Sequence, residues 1–367
     1  MRVLILGGNG FIGFEVCREL LSRGHEVTAL ARLPEKFARR LPGVSWLKGD
    51  RRAMQSRNAW RPLEGFGAVV NCAGALQSGA GDDVDAVQHG AMLALYEAAA
   101  TAKVGLIVQV SARTDGPGAG QAFLSSKRRA DDALERSGVP FVILRPAIVV
   151  GRNAYGGSAL LRALAAFPCR TPLVHADAPM QFVALDDVAE AVADSLEGRV
   201  EAGTDLVLAG PEFLSLRETV AIHRAWLGLP PARAINVPAA MAWPATALAD
   251  LLGRLGWRSP LRSTAMEIAA GGVAAASTDR RQPDGQKRDG LGAILAKNPA
   301  GAQDLWFARL YLLKPVVFGV LSLFWILSGS IALMRLDQSA RLLEAVTPAP
   351  VIANLLAVAT SLADIVL

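Results

Sequence analysis

A chain of 367 residues has room for two or three domains, and a hydrophobic share of 52% against 19% charged is high for a purely soluble protein. The net charge of +5 is modest and spread out, which suits phosphates or an anionic leaflet better than nucleic acid; no basic run interleaved with aromatics and no base-reading motif supports a DNA or RNA role. Three cysteines, Cys17, Cys72 and Cys169, lie far apart without metal or redox spacing, which fits a reducing compartment, and no signal peptide is read ahead of the first strand.

Residues Arg2 to Leu6 form an apolar run of the kind a buried parallel strand shows. The run enters Gly7-Gly8-Asn9-Gly10-Phe11-Ile12-Gly13 directly, then a helix from Phe11 to Arg23 that stops at Gly24, then a second strand from His25 to Leu30. Strand, glycine turn, helix and strand in that order predict a dinucleotide site. Gly7, Gly10 and Gly13 let the backbone turn tightly and approach a pyrophosphate, which sits on the free amides and positive dipole end of the helix at Phe11 and Ile12. The alternative is a structural turn, because turns collect glycine for many reasons.

Further strands are expected at Val44–Leu47, Ala68–Ala73, Leu106–Val110, Phe141–Leu144 and Gln181–Val183, with helices over Val84–Ala102 and Ala122–Ser137. Alternation with short connections predicts an α/β, doubly wound parallel sheet of Rossmann type, with ligand at the carboxyl ends of the strands. Gly151–Thr171 and Pro211–Val273 interrupt the pattern and are read as a small substrate lobe. Gly271–Gly292, rich in Gly, Ala, Asp and Arg, reads as a mobile linker. The expected organisation is a nucleotide domain over 1–275, a linker over 276–305 and a membrane part over 306–367, with no internal repeat.

Pro315 to Met334 are twenty consecutive residues without a charge, bracketed by Lys314 and Arg335, the length of a membrane-spanning helix. Trp306, Phe307 and Tyr311 precede the run as an interfacial anchor would, although a buried core helix is the competing reading. A second apolar run, Pro350–Leu367, is broken only by Asp364, which would need a partner or a place near the far interface. A span ending on the last residue implies a chain that is truncated or ends barely across the membrane. Lys287, Arg288, Lys297, Arg309 and Lys314 precede the first span, whereas Arg335–Pro348 balances two basic against two acidic residues. The positive-inside rule therefore places the nucleotide domain on the cytoplasmic face of the inner membrane, with membrane lipid as a partner.

NAD sites usually carry a carboxylate at the end of the second strand, whereas a 2′-phosphate needs a cation there. The chain reads Thr28-Ala29-Leu30-Ala31-Arg32, without an acid and with an arginine fork, which favours NADP(H) while leaving NAD(H) open. Against this, Arg32 with Lys36, Arg39 and Arg40 also reads as a solvated helix face.

Five ordered motifs then carry a family resemblance. They are the Gly7–Gly13 turn, Gly49-Asp50, Asn71-Cys72-Ala73-Gly74, Leu144-Arg145-Pro146-Ala147 through Gly151, and Phe182-Val183-Ala184-Leu185-Asp186-Asp187-Val188-Ala189. Together, over nearly all of residues 1 to 270, they resemble the extended short-chain dehydrogenase/reductase family, and within it the atypical branch that includes the nucleotide-binding accessory subunit of respiratory complex I. The tail, Trp306 to Tyr311 through Lys314-Pro315 and the Leu-Phe-Trp span, resembles the DoxX-like membrane domain, usually of four helices, of which two are present. The resemblance implies dinucleotide contacts from Gly7, Gly10, Phe11, Ile12, Gly13, Ala73, Gly74 and Pro146, an adenine contact from Asp50, and a membrane-protein or respiratory-chain partner. Asp50 is equally legible as a turn former before Arg51.

Reductases of that family take a proton from a Tyr whose pKa is lowered by a Lys four residues on, beside a Ser or Thr. The matching stretch is Phe123-Leu124-Ser125-Ser126-Lys127, with phenylalanine where the acid belongs. Lys127 can still hold the nicotinamide ribose hydroxyls, or else belongs to the solvated run Lys127-Arg128-Arg129. In Gln109-Val110-Ser111-Ala112-Arg113 the family's catalytic position falls on Ala112, and a slip of one residue would restore Ser111. Tyr155, in the substrate-lobe loop, is an acid from another direction or a packing aromatic. Gln88 stands where relatives often carry Asn. The four histidines show no metal spacing, and Asp186-Asp187 read as helix caps. Two functions remain: a membrane-held NADP(H)-binding module without the usual acid, and an oxidoreductase or epimerase-like enzyme on a lipid-soluble substrate such as a quinone or isoprenoid.

Overall fold

The structure, a computed structural model, describes residues 1–74, 84–114, 120–254, 263, 270, 287–345, 347 and 349–366. They form two compact units, Met1–Ala302 and Gln303–Leu367.

The first unit is built on β1 (Arg2–Leu6), in which Val3 to Leu6 are buried on both faces. Val3 and Ile5 join the apolar core under α1 (Phe11–Ser22) and α6 (Leu185–Leu196), while Leu4 and Leu6 join the core under α3 (Ala91–Ala102) and α4 (Ala122–Glu135). A strand covered on both faces needs an unbroken apolar run, because successive side chains point to opposite sides. Each such side chain contributes about 1.5–3 kcal/mol by leaving water. β1 pairs in parallel with β2 (Glu26–Ala31) on one side and β4 (Ala68–Asn71) on the other, with Val3 opposite both Val27 and Ala68. The remaining strands of this sheet are β3 (Ser45–Lys48), β5 (Leu106–Val110), β6 (Phe141–Pro146) and β11 (Thr204–Leu208). The seven parallel strands run β11-β6-β5-β4-β1-β2-β3, so the order reverses at β1 and opens a crevice at its carboxyl end.

Helix α1 ends as its sequence demands. Gly24 takes φ +79°, its N–H bonds Leu21 O at 3.0 Å and the His25 N–H bonds Leu20 O at 2.9 Å, closing the last carbonyls in a Schellman arrangement.

Two sequence expectations fall differently. The strand expected at Gln181–Val183 forms as β10 (Phe182–Ala184), but it pairs with β7 (Ile148–Val150) in a separate two-stranded sheet. The seventh strand of the main sheet is β11, which the sequence does not announce. It is an edge strand whose Asp205 and Val207 are exposed while Leu206 and Leu208 are buried, so it lacks the continuous apolar run of its neighbours. Asp186 and Asp187 are not caps. Ala184 holds the cap position of α6, and both carboxylates lie in its first turn, where they face the positive end of the helix dipole.

The interruptions read as a substrate lobe contain α5 (Gly157–Ala165), β8 (Arg170–Leu173), α7 (Leu216–Trp226), β13 (Arg233–Asn236) and α8 (Ala239–Arg254). α5 and α7 are tied by Arg224, which donates to Ala165 O at 2.7 Å and Phe167 O at 2.9 Å, and by the Arg162 guanidinium 4.7 Å above the Trp226 ring. β8 and β13 pair in parallel. Most of the expected linker, 271–286, lies outside the described residues. Its end does not behave as a linker: α9 (Leu291–Ala296) buries Leu291, Ile294 and Leu295, and the Leu291 N–H bonds Glu212 Oε2 at 3.0 Å.

In the second unit, α10 (Ala302–Met334) contains the expected span and is long and apolar enough to cross a membrane. The stretch Arg335–Pro348 between the two apolar runs carries α11 (Leu336–Glu344). The second apolar run forms α12 (Pro350–Val366), whose buried Ala353, Ala357 and Ser361 recur every four residues. Gly329 of α10 meets this stripe so closely that a Cβ there would lie 2.4 Å from Ser361 O and 3.1 Å from the Asp364 Cβ.

Candidate dinucleotide-binding site

Gly7 ends β1 at φ +76°, and a side chain there would meet the Ala73 Cα at 2.9 Å, so the ends of β1 and β4 touch through a missing Cβ. The Gly10 N–H bonds Gly7 O at 2.8 Å, and a Cβ on Gly13 would lie 2.2 Å from that same oxygen. The turn is therefore folded on itself through three glycines. Gly10 begins α1 without a side chain to satisfy the first amides, and no acid occupies the first turn. Those amides and the helix dipole at Phe11 and Ile12 suit an anion.

Beside the turn, at the carboxyl ends of β4, β5 and β6, lies a buried polar cluster. Lys127 of α4, read also as part of a solvated run, is 6% exposed, and Nζ donates to Val110 O at 3.0 Å. A Cβ on Gly74 would lie 3.8 Å from that Nζ, so the lysine borders the end of β4. Burial lowers its pKa to about 8, against the pull of Asp131. The Phe123 ring, one turn earlier, has its centroid 5.8 Å from Nζ. Ser126 donates to Gln88 Oε1 at 3.1 Å, and Asn71 Nδ2 donates to Gln109 Oε1 at 2.8 Å while its Oδ1 accepts the Ala73 N–H at 3.1 Å.

Ser111 points into this cluster. Its hydroxyl donates to Asp131 Oδ2 at 2.6 Å, and Arg145 Nη1 donates to the same oxygen at 2.9 Å. Arg145 also reaches Ala112 O at 3.0 Å, and its Nε donates to Asp205 Oδ1 at 2.8 Å. Burial pushes the Asp131 carboxyl up, and the Ser111 bond with the Arg145 and Lys127 charges pulls it back. Tyr96 faces Asp131 from α3 with its hydroxyl buried and without a hydrogen-bond partner among the described residues.

On the other side of β1, Arg32 follows β2 and Asp50 follows β3. The Asp50 carboxylate caps the turn Arg51–Ala53, taking the Arg52 N–H at 3.1 Å and its guanidinium Nε at 2.9 Å, and the Arg52 bond first, then the Arg32 charge, hold it below the usual range. Pro146 closes β6, where the Ala147 N–H bonds Leu208 O at 2.8 Å. Tyr155, 62% exposed, lays its ring over Phe11 with centroids 6.1 Å apart and planes 17° apart.

The profile of a family described as NAD(P)H-binding matches residues 7–198, more than half of the chain. The chain belongs to that NAD(P)H-binding family. It is 47% identical over 49 residues to the UDP-glucose 4-epimerase of Klebsiella pneumoniae, a match covering 13% of this chain and 35% of that protein, so the chain spans about a third of that relative's length. Among solved structures it is similar to the Bordetella bronchiseptica enzyme WbmH in complex with NAD+, with a TM-score of 0.60 at 18% identity over 84% of this chain and 98% of that one. It is also similar to the Thermus thermophilus UDP-glucose 4-epimerase with NAD, with a TM-score of 0.53 at 23% identity over 65% of this chain and 86% of that one. At these identities the two structures establish the fold, an α/β Rossmann type with an extended lobe.

Of the residues singled out in the sequence, Gly7, Gly10, Phe11, Ile12, Gly13, Ala73, Gly74 and Lys127 converge at the carboxyl ends of β1 and β4. Arg32 and Asp50 stand together at the ends of β2 and β3, and Pro146 lies at the end of β6. Ser111 is brought to Lys127's neighbourhood but is bonded to Asp131. Sequence reasoning missed the chain Ser111–Asp131–Arg145–Asp205. Its one available signal is that Asp131 follows Lys127 by four residues, which puts both on one face of α4. Among the described residues no group of three His, Cys, Asp or Glu could hold a metal ion.

Proposed function

We propose that the chain is a membrane-held NADP(H)-binding module of the atypical extended short-chain dehydrogenase/reductase class, in which the dinucleotide serves a structural or redox-sensing role. The Gly7–Gly13 turn and the opening amides of α1 would hold the pyrophosphate. Lys127 would hold the nicotinamide ribose hydroxyls, Ala73, Gly74 and Pro146 would line the cofactor, and Asp50 would lie at the adenine. Arg32, at the end of a β2 that carries no acid, would meet the 2′-phosphate and so prefer NADP(H) to NAD(H). When bound, the cofactor supplies a hydride at the nicotinamide. The observation that carries the non-catalytic reading is Phe123, whose ring lies beside Lys127 where the family's proton donor would stand. The helix Ala302–Met334 supports a span of the inner membrane, with the nucleotide unit on the cytoplasmic side and a lipid or respiratory-chain partner; the tail's likeness to DoxX-like domains supports the same placement.

A second reading, an oxidoreductase or epimerase-like enzyme on a lipid-soluble substrate, draws support from Tyr155, an exposed phenol placed over Phe11 at the mouth of the turn. The experiment is NADPH turnover with a quinone by wild type, Phe123→Tyr and Tyr155→Phe. No turnover by wild type, with activity gained in Phe123→Tyr, supports the module. Turnover by wild type that falls in Tyr155→Phe supports the enzyme.

A further inference from the structure

Outside the sheet, three arginines from three elements of the lobe line one cleft of about 510 Å³ with Ala234, Ile235 and Asn236. Arg170 opens β8, Arg233 opens β13, and Arg217 lies in the first turn of α7. Arg170 and Arg233 are directly opposite in the parallel register, and adjacent strands lie about 4.8 Å apart. Like charges in opposed positions weaken a strand pair. Among the described residues neither arginine has an ion-pair partner. Arg217 is held by Asn236 Oδ1, which accepts from its Nη2 at 2.8 Å, and the nearest carboxylate, Asp177, is 3.7 Å away and mostly exposed. The open cleft thus gathers three arginines, with the exposed Arg170 and Arg233 set opposite each other in the register of one strand pair and Asp177 the acid beside Arg217. Planar forks in that arrangement match the oxygens of phosphate or diphosphate, and such a ligand would remove the repulsion between Arg170 and Arg233.

We propose that Arg170, Arg217 and Arg233 form a second anion site, which takes the phosphate or diphosphate group of a ligand other than the dinucleotide. The site draws no residue from the glycine turn, so it stands whether or not the dinucleotide reading does. The same chemistry comes from a soluble phosphoryl compound or from the headgroup of an anionic phospholipid.

The test uses the full chain in neutral detergent with NADPH present in excess, titrated calorimetrically with inorganic pyrophosphate and, separately, with mixed micelles carrying short-chain phosphatidic acid. Wild type binds at least one probe, and Arg170→Gln/Arg233→Gln weakens that binding by about tenfold or more while leaving the NADPH titration unchanged. Pyrophosphate binding alone identifies a soluble ligand; phosphatidic acid binding alone identifies a headgroup. The double variant also unfolds at a higher temperature than wild type in low salt without anion, which shows that it is folded and that the repulsion is real. Failure of both probes to bind wild type, or equal binding by the double variant, overturns the proposal. If NADPH itself does not bind, the dinucleotide reading falls, and loss of pyrophosphate binding in the double variant still reports on this site alone.

Discussion

Replacing Gly13 by alanine tests how the turn works. The new Cβ would lie 2.2 Å from Gly7 O, 2.8 Å from Gly7 C and 2.9 Å from the Gly8 Cα, all backbone atoms that cannot rotate away. An ordinary carbon–oxygen contact is about 3.3 Å, so helix and turn must part by about 1 Å. Overpacking of that kind costs about 1–3 kcal/mol. Moving Gly7 O also strains its 2.8 Å bond from the Gly10 N–H, worth about 1 kcal/mol. The account expects Gly13→Ala to lose about 2–4 kcal/mol in denaturant unfolding and to bind NADPH at least about tenfold more weakly. Gly292→Ala is the matched control. It lies in α9 with nothing within 4 Å of the added methyl, and the gain in helix propensity stabilises by about 0.5–1 kcal/mol without touching NADPH affinity. Wild-type stability and NADPH affinity in Gly13→Ala would refute the reasoning.

Three further outcomes follow from named groups. Below about 8 both folded and unfolded chains carry the Lys127 proton and the fold bears the cost of burying it; from about 8 up to the ordinary 10.5 only the unfolded chain holds it, so stability rises with pH through that window. Lys127→Met should lose this rise, a difference of about 3 kcal/mol between pH 7 and 11 in urea unfolding; parallel curves for the two proteins would contradict it. His223 is buried on α7, its Nδ1 2.9 Å from Thr219 O, and burial lowers its pKa to about 4. Between 6.5 and about 4 only the unfolded chain gains the proton, so the fold weakens as pH falls, and His223→Leu should flatten that limb of the stability curve. Arg32→Asp should reverse the ratio of NADPH to NADH affinity by about tenfold or more, measured by competitive titration; an unchanged ratio would remove Arg32 from the site.

The parts of the fold legible in the sequence are those where both faces of a segment are buried. β1 and β5 announce themselves because a central parallel strand buries both faces and so runs through consecutive apolar residues, Val3–Leu6 and Leu106–Val108, and α1 because glycine marks both of its ends. β11 stayed hidden because an edge strand tolerates Asp205, and that same exposed carboxylate is what lets Arg145 reach across from β6. α9 was lost in a stretch whose composition reads as linker, since its anchoring depends on a contact with Glu212 far away in the chain. The candidate site divides in the same way. Gly7, Gly10 and Gly13 are visible because a missing Cβ is written in the residue type. Ser111 is not decided by sequence, because whether a hydroxyl faces a ligand or Asp131 depends on which way α4 presents its buried face.

The measurement closest to the central claim is a titration of the full chain in detergent with NADPH, NADP, NADH and NAD, followed by calorimetry. The account predicts binding of the NADP(H) pair well ahead of the NAD(H) pair, weakened at least about tenfold in Gly13→Ala and inverted in preference in Arg32→Asp. Binding of none of the four would contradict it and leave the glycine turn as structure alone.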